Sequence, residues 1–552
     1  MSCRRLAWST CLLLLASAGC RDESTTGDVH TEAVEDVLDE EIAVEVVDDP
    51  LDDPDAFDAT DDEEDAADIV SEDAPEDGAS HPTMPAEVLR TGTSGLLLTG
   101  IVLTPTGVLD PGDVLIAPDG TIACVDADCS SAAGAGDATW IDTHGILSPG
   151  LIDAHNHVAY NFLPEWVPDP PRLFENRYQW AADPDYEAHI EPYAAHRSTG
   201  THYCPAAKWG ELRSLVHGTT TIQGQSFQQS CVNWGVRNAD HFHNLIGYDH
   251  MRTAIGSVRD ITDADAANYI ASFDDTTAPI TRFAVHMAEG YTGDHVDEEF
   301  DSFAGRDTRT NRHAGTSLLH NGTSLLIHCV PLTEAQLVEV HDTDSKIAWS
   351  PSSNMVLYGR TAPIQRILQL GIPTAIAPDW TPSGEDEMLS EMRFGLQYGI
   401  DNTIPELTTQ KIWGMSTSDA AVVVGLEDHI GTIEVGMTAD IAVFGRDALD
   451  PYQAVIDSRA EDVRLVLIGG IGMYGDANIQ AETQWNDYCE AFDACGAAKY
   501  ICVQESPTAA SRRDETLDDI RTQLYNILEG IGYPVEEQYG RGDELLPLVD
   551  CS

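Results

Sequence analysis

Lysine is almost missing from this 552-residue chain: Lys208, Lys346, Lys411 and Lys499 are all there is. Basic residues as a whole number 29 against 94 acidic ones, a formal net charge of −65. A surface this acidic repels phosphate, which excludes nucleic acid as a partner. It also argues against docking on an anionic membrane through protein surface alone. Long apolar runs are lacking too. The N-terminal run Leu6–Gly19 is short of the about 20 residues that span a bilayer. What is present is enough apolar material, 42% of residues, for a large core.

The charge is unevenly spread. Residues 1–20 carry Arg4 and Arg5 ahead of the apolar run, the layout of an export signal. Ser17-Ala18-Gly19-Cys20 resembles a bacterial lipobox, which makes Cys20 the expected lipidation site; ordinary cleavage near Ala18 with secretion is the alternative. The expectation is an exported protein of the bacterial cell envelope, anchored by lipid and facing the periplasm or exterior, with no other membrane contact. Residues 21–90 hold 27 acidic and 2 basic side chains with few aromatics, so they cannot bury enough surface to order themselves. They read as an acidic disordered tether or a solvating tail. Cysteine usage agrees with an oxidising compartment. Cys124 and Cys129 are close, Cys204 and Cys231 flank one segment, and Cys489, Cys495, Cys502 and Cys551 crowd the C-terminus, whereas Cys329 follows an apolar run and reads as a buried thiol.

Residues 91–147 contain short β-like runs separated by Pro-Gly, Pro-Asp-Gly and Gly-rich turns. From 148 to 425 apolar strands such as Thr219–Ile222, Arg282–Val285, Ser324–Ile327, Lys346–Ala348 and Pro373–Ala377 alternate with helical stretches, which reads as a parallel α/β sheet. After Gly425 the runs Ile433–Phe444 and Asp462–Ile468 return to β texture, so 91–147 and 426–476 are expected to build one composite β domain. Residues 477–552 form a cysteine-containing extension with a helical stretch at Asp514–Glu529.

The chemistry concentrates in Ser148-Pro149-Gly150-Leu151-Ile152-Asp153-Ala154-His155-Asn156-His157. Histidines at i and i+2 on a strand share a face, and histidine is the commonest ligand for zinc and similar metals. A second pair, His241-Phe242-His243, follows polar Arg237–Asp240 rather than an apolar strand and reads as surface or loop. The remaining isolated histidines read as structural.

The longer string resembles the first strand of the amidohydrolase superfamily, metal-dependent hydrolases on a (β/α)₈ TIM barrel with a small β-sandwich built from segments before and after it. The resemblance continues in order. Arg282-Phe283-Ala284-Val285-His286-Met287-Ala288-Glu289 is similar to the family's fifth strand with its HxxE, and Leu325-Leu326-Ile327-His328-Cys329 to the sixth. Trp349-Ser350-Pro351-Ser352-Ser353-Asn354 resembles the signature after the seventh, and Gly371 through Asp379 the eighth. Gly431 through Asp440 resembles the stretch that returns the chain to the sandwich. The resemblance implies His155, His157, His286 and Asp379 as ligands of one divalent ion, zinc first, with iron or manganese as alternatives. It implies Asp379 as the base for a metal-activated water, Glu289 as proton carrier to the leaving nitrogen, and His328 as the group that holds the nucleophile or polarises the oxyanion.

Two-metal members bridge their ions with a carboxylated lysine on a middle strand. Between His157 and His286 the only lysine is Lys208, in the expected helix Ala206–Val216, where a lysine reads as surface; the one-metal form follows. That implies a hydrolase of non-peptide carbon–nitrogen bonds in a small molecule, by deamination or by cyclic amide opening, near the deaminase, chlorohydrolase and imidazolonepropionase branch. Trp349 and Trp380 depart from the family pattern and become candidate substrate-binding residues. The rivals are a surface barrel that lost catalysis and holds a ligand, and a dipeptidase- or lactonase-like hydrolase.

Overall fold

The computed structural model describes residues 84–194, 200–224, 235–241, 243–254, 258–293, 295–307, 309, 315–445, 449–509, 513–531 and 545–551. The expected leader, Cys20, most of the tether and Cys231 lie outside these.

Apolar strand segments linked by helices settle as parallel strands, because a parallel pair needs a crossover and a helix supplies it. One three-stranded parallel sheet is ordered Leu151–Asp153, Thr219–Ile222, Arg237–Asn238. A five-stranded one runs Met251–Ala254, Arg282–Met287, Ser324–His328, Lys346–Trp349, Thr374–Ile376. The last strand's continuation meets the first strand's continuation: His157 N–H donates to the Asp379 carbonyl at 2.7 Å, and Asn156 bridges Asp379 in parallel. Crossover helices include Gly200–Val216, Asp263–Phe273, Glu334–Asp342 and Ile364–Gln369. Residue parity divides the strands. Phe283, Val285 and Met287 join the large apolar cluster, while Ala284, Leu325, Ile327, Ala348 and Ala375 form another with Ile152 and the helix Ser418–Val424.

A ten-stranded sheet takes strands from both ends of the chain, with Leu96–Thr104, Gly107–Ile116, Ile122–Asp126 and Thr139–Pro149 beside Ile441–Phe444, Val463–Ile468 and Ile471–Asp476. Three departures from expectation appear here. Glu87–Arg90 pairs antiparallel with Thr139–Pro149, so order begins inside the segment read as tether, because Ala86 and Val88 pack on the sheet's apolar core. Only Ile441–Phe444 of the expected run Ile433–Phe444 is strand. The tail adds the hairpin Glu490–Ala494 and Ala497–Ile501 to the same sheet, and its helix is Leu517–Ile531. Disulfides join Cys124–Cys129, Cys489–Cys502 and Cys495–Cys551; Cys204 is also disulfide-bonded, and Cys329 is free and buried. The last residues lie on the helix Gly200–Val216, where Trp209 Nε1 donates to the Leu546 carbonyl at 2.9 Å. Among the described residues no helix is long and apolar enough to cross a membrane.

Candidate active site

Strand ends bring the chemistry together. His155 and His157 follow Leu151–Asp153, His286 lies on Arg282–Met287 with Glu289 just past its end, His328 closes Ser324–His328, and Asp379 follows Thr374–Ile376. Side-chain parity alone would not aim His328 inward, since its neighbour Ile327 already faces the inner apolar cluster. A left-handed backbone at His328 (φ 72°) and Cys329 (φ 55°) breaks the alternation; Ala288 and Asp379 share that conformation. Non-glycine residues adopt it at a cost, and such geometry gathers at functional sites.

The donor atoms converge. His155 Nε2 stands 3.2 Å from His286 Nε2 and 3.1 Å from Asp379 Oδ1, and His157 Nε2 is 3.4 Å from the same oxygen. His155, His157 and His286 offer ligand atoms within 4.8 Å of one another, as do His155, His328 and Asp379, and His286, Glu289 and His328. The far ring nitrogens are held: His155 Nδ1 by Gln223 Oε1 at 3.3 Å and His328 Nδ1 by Asn354 Oδ1 at 3.1 Å. Those bonds turn an Nε2 lone pair of each ring inward. Among the described residues the buried His328 Nε2 has no hydrogen-bond partner, and Glu289 Oε2 lies 3.5 Å away. Buried imidazole lone pairs beside a carboxylate fit a divalent cation that accepts N and O ligands.

Electrostatics pull the groups apart. Burial raises the Asp379 carboxyl, but the His155 hydrogen bond and the surrounding imidazoles outweigh it and hold Asp379 below its usual range. Ser353 Oγ donates to its Oδ2 at 2.7 Å. Burial lowers His155, and the bond to Asp379 more than offsets this. His286 goes the other way, pushed well below its ordinary value by burial and then by the neighbouring imidazoles. Burial likewise lowers His328.

Sequence reasoning gave no role to the residues that hold these groups. Gln223, Ser353 and Asn354 are such, the last two inside the string Trp349–Asn354 already singled out. Arg177 is a further one. It is buried, its Nη1 is 3.4 Å from His286 Nδ1, and its Nη2 donates to Glu299 at 3.0 Å. No spacing pattern marks Arg177, because His286 and Glu299 lie more than a hundred residues away.

Three expectations are corrected. Trp349 is fully buried on the opposite face of its strand from Ala348, its ring 6.0 Å from Tyr398 on the helix Met388–Asp401 and its Nε1 donating to Thr361. That is core packing, in the large apolar cluster rather than the one that holds Ala348. Trp380 does border the site, with its ring 5.8 Å from His157, 5.3 Å from Tyr160 and 5.8 Å from Trp180. Lys208 is on a helix as expected but buried, paired at 2.6 Å with Glu515 of the tail. His241 of the second histidine pair is buried rather than on the surface, because Arg237–Asn238 is itself a buried strand. His217 and His250 are structural as expected, each bonded to a backbone carbonyl.

A family model described as the amidohydrolase family matches residues 273–479. Similar curated proteins include a 5-methylthioadenosine/S-adenosylhomocysteine deaminase of Desulforudis audaxviator, 28% identical over 60% of this chain and 82% of its own length. Another, from Pelotomaculum thermopropionicum, is 27% identical over 70% and 92%. Among solved structures, an adenosine deaminase from Xanthomonas campestris with bound zinc is 19% identical, with a TM-score of 0.51 over 80% of this chain and 100% of that one. The likeness is one of fold, TIM-barrel-like and α/β.

Proposed function

We propose that this chain, an enzyme acting on carbon–nitrogen bonds whose family-model match and deaminase relatives support the amidohydrolase superfamily, deaminates an amino-substituted heterocycle with the help of one divalent ion. The observation that carries the reading is the convergence of His155, His157 and His286 Nε2 with Asp379 Oδ1. Those four residues would hold the ion, zinc first, with iron or manganese as alternatives. Bound there, it supplies a water acidified toward neutral pH. Asp379, kept ionised and steadied by Ser353, accepts the water's proton. His328 turns a lone pair inward and so suits holding that water better than donating to an oxyanion. Glu289 passes a proton to the departing nitrogen, which leaves as ammonia as the carbon–nitrogen bond breaks. Trp380, with Tyr160 and Trp180, offers an aromatic wall for a flat ring. Cyclic amide opening would use the same groups.

The wider reading closes residues 148–425 into an eight-stranded barrel, with 91–147 and 426–476 as its β-sandwich. The exported, Cys20-lipidated form belongs to it as well and rests on the leader sequence.

Metal analysis by plasma mass spectrometry, run beside ammonia release from a panel of amino-heterocycles, tests the function. About one ion per chain, falling well below one in His155→Ala, supports it. About two would bring His328 in as a ligand of a second ion. None after reconstitution would sink the hydrolase and favour a ligand-binding barrel.

A further inference from the structure

The short helix Pro351–Tyr358 holds more of the site than its sequence string suggests. Ser353 donates to Asp379 and Asn354 bonds His328. Tyr358 stands four residues after Asn354, hence on the same helix face. Its hydroxyl donates to Glu289 Oε1 at 2.7 Å. The phenol oxygen accepts in turn from Trp180 Nε1 at 2.7 Å. Tyr358 and Glu289 are both buried. Burial and then the adjacent Glu289 charge hold the phenol well above its ordinary value, so it remains a donor.

We propose that Tyr358 is a positioning residue for Glu289, its hydroxyl tethering one carboxylate oxygen so that the other faces His286 and His328. The proposal rests on the hydrolase reading of the site. Glu289 Oε2 sits 3.5 Å from both His286 Nδ1 and His328 Nε2. A glutamate carboxylate turns easily about its last torsion, so a fixed donor on one oxygen decides where the other points. The segment that presents Trp180 also grips the Glu289 backbone. Arg177 N–H donates to the Glu289 carbonyl at 3.1 Å, Tyr291 N–H to the Glu175 carbonyl at 2.8 Å, and Asn176 bridges Gly290. Trp180 lies against Trp380, whose ring is next to His157. One hydrogen-bonded line, Trp180 to Tyr358 to Glu289, therefore runs from the aromatic wall to the proton carrier.

The effect belongs to one part of the reaction. In deamination the water oxygen bonds to carbon, the carbon–nitrogen bond breaks, and nitrogen keeps the electron pair and takes the proton that Glu289 delivers. A chloro-substituted ring loses chloride, which needs no proton. Misplacing Glu289 should therefore slow loss of an amino group and spare loss of chloride.

Tyr358→Phe keeps the ring and its packing and removes the tether. On an amino-heterocycle the variant should lose about ten- to a hundredfold in kcat, with KM within about twofold and metal content unchanged. On the chloro counterpart its rate should stay within about twofold. Trp180→Phe should give a smaller loss in kcat. A crystal structure of Tyr358→Phe should show the Glu289 carboxylate rotated from its place between the two imidazoles. An unmoved Glu289, or equal losses on both substrates, overturns the proposal. Absence of ammonia release from the unaltered protein would instead count against the hydrolase reading, and the crystal structures of the two proteins would still decide the role of Tyr358.

Discussion

Two regions of this molecule bury charge, and they treat it in opposite ways. In the ten-stranded sheet Lys499 is enclosed, yet its ammonium donates to the Glu461 carbonyl at 2.9 Å, the Val463 carbonyl at 2.7 Å and Asp476 Oδ1 at 2.6 Å. Asp440, at the sheet's junction with the parallel strands, receives Arg237 through two bonds of 2.6 and 3.0 Å and the Gly469 N–H at 2.6 Å. At the strand ends the pattern reverses. His328 Nε2 has no hydrogen-bond partner among the described residues, and the Nε2 atoms of His155 and His286 face each other at 3.2 Å. Burial is common to both regions, so burial does not mark function. Saturation separates these examples: Lys499 and Asp440 have their hydrogen bonds made, whereas a ligand site keeps lone pairs in reserve.

Substitutions on either side test that distinction. Asp379→Asn should have the largest effect, lowering kcat by about 10⁴-fold because both a base and a ligand are altered, while circular dichroism and the unfolding midpoint report a retained fold. An active Asp379→Asn protein would refute the base. Arg237→Met should do the reverse. It strands the buried Asp440 carboxylate at a cost of about 3–5 kcal/mol in denaturant unfolding, and kcat of the folded protein should change by less than about twofold. A large loss of kcat with stability intact would place Arg237 in the catalytic machinery.

The smallest effect lies at Glu385, which burial, and then Glu387 and Asp386, push up to about 7 from an ordinary 4.5. An acid whose folded value is raised contributes stability that is fully present below its unfolded value, about 4.5, and lost as pH rises through about 7. Glu385→Gln should therefore gain on the parent protein by about 2 kcal/mol between pH 5 and pH 8. Urea midpoints at those two pH values measure it, and an equal difference at both would remove the role of burial.

Legibility followed locality. The strands Thr219–Ile222, Arg282–Met287, Ser324–His328, Lys346–Trp349 and Thr374–Ile376 were readable because each is a short apolar run, and His155, His157, His286 and Asp379 were readable because the strings around them resemble one family's strand ends. Trp349 misled because an aromatic at a strand end can face either way. Ala348 faces the inner apolar cluster and Trp349 therefore the helix behind. Arg237–Asn238 hid as polar chain, since the carboxylate that neutralises Arg237 lies 203 residues on. The tail's hairpin stayed invisible because Glu490–Ala494 alternates around no obvious apolar face until Ala497–Ile501 pairs with Ile471–Asp476.

By itself the sequence determined the ligand-type side chains, their order along alternating strands and helices, and an acidic charge that keeps phosphate away. The tertiary structure alone decided which of them meet. It turned His328 inward through a left-handed backbone, sent Trp349 to the core, and set Tyr358 against Glu289 from a strand and a helix 69 residues apart. Residue type and local periodicity are written in neighbouring positions; the partner that fills or spares a buried lone pair comes from packing between distant ones.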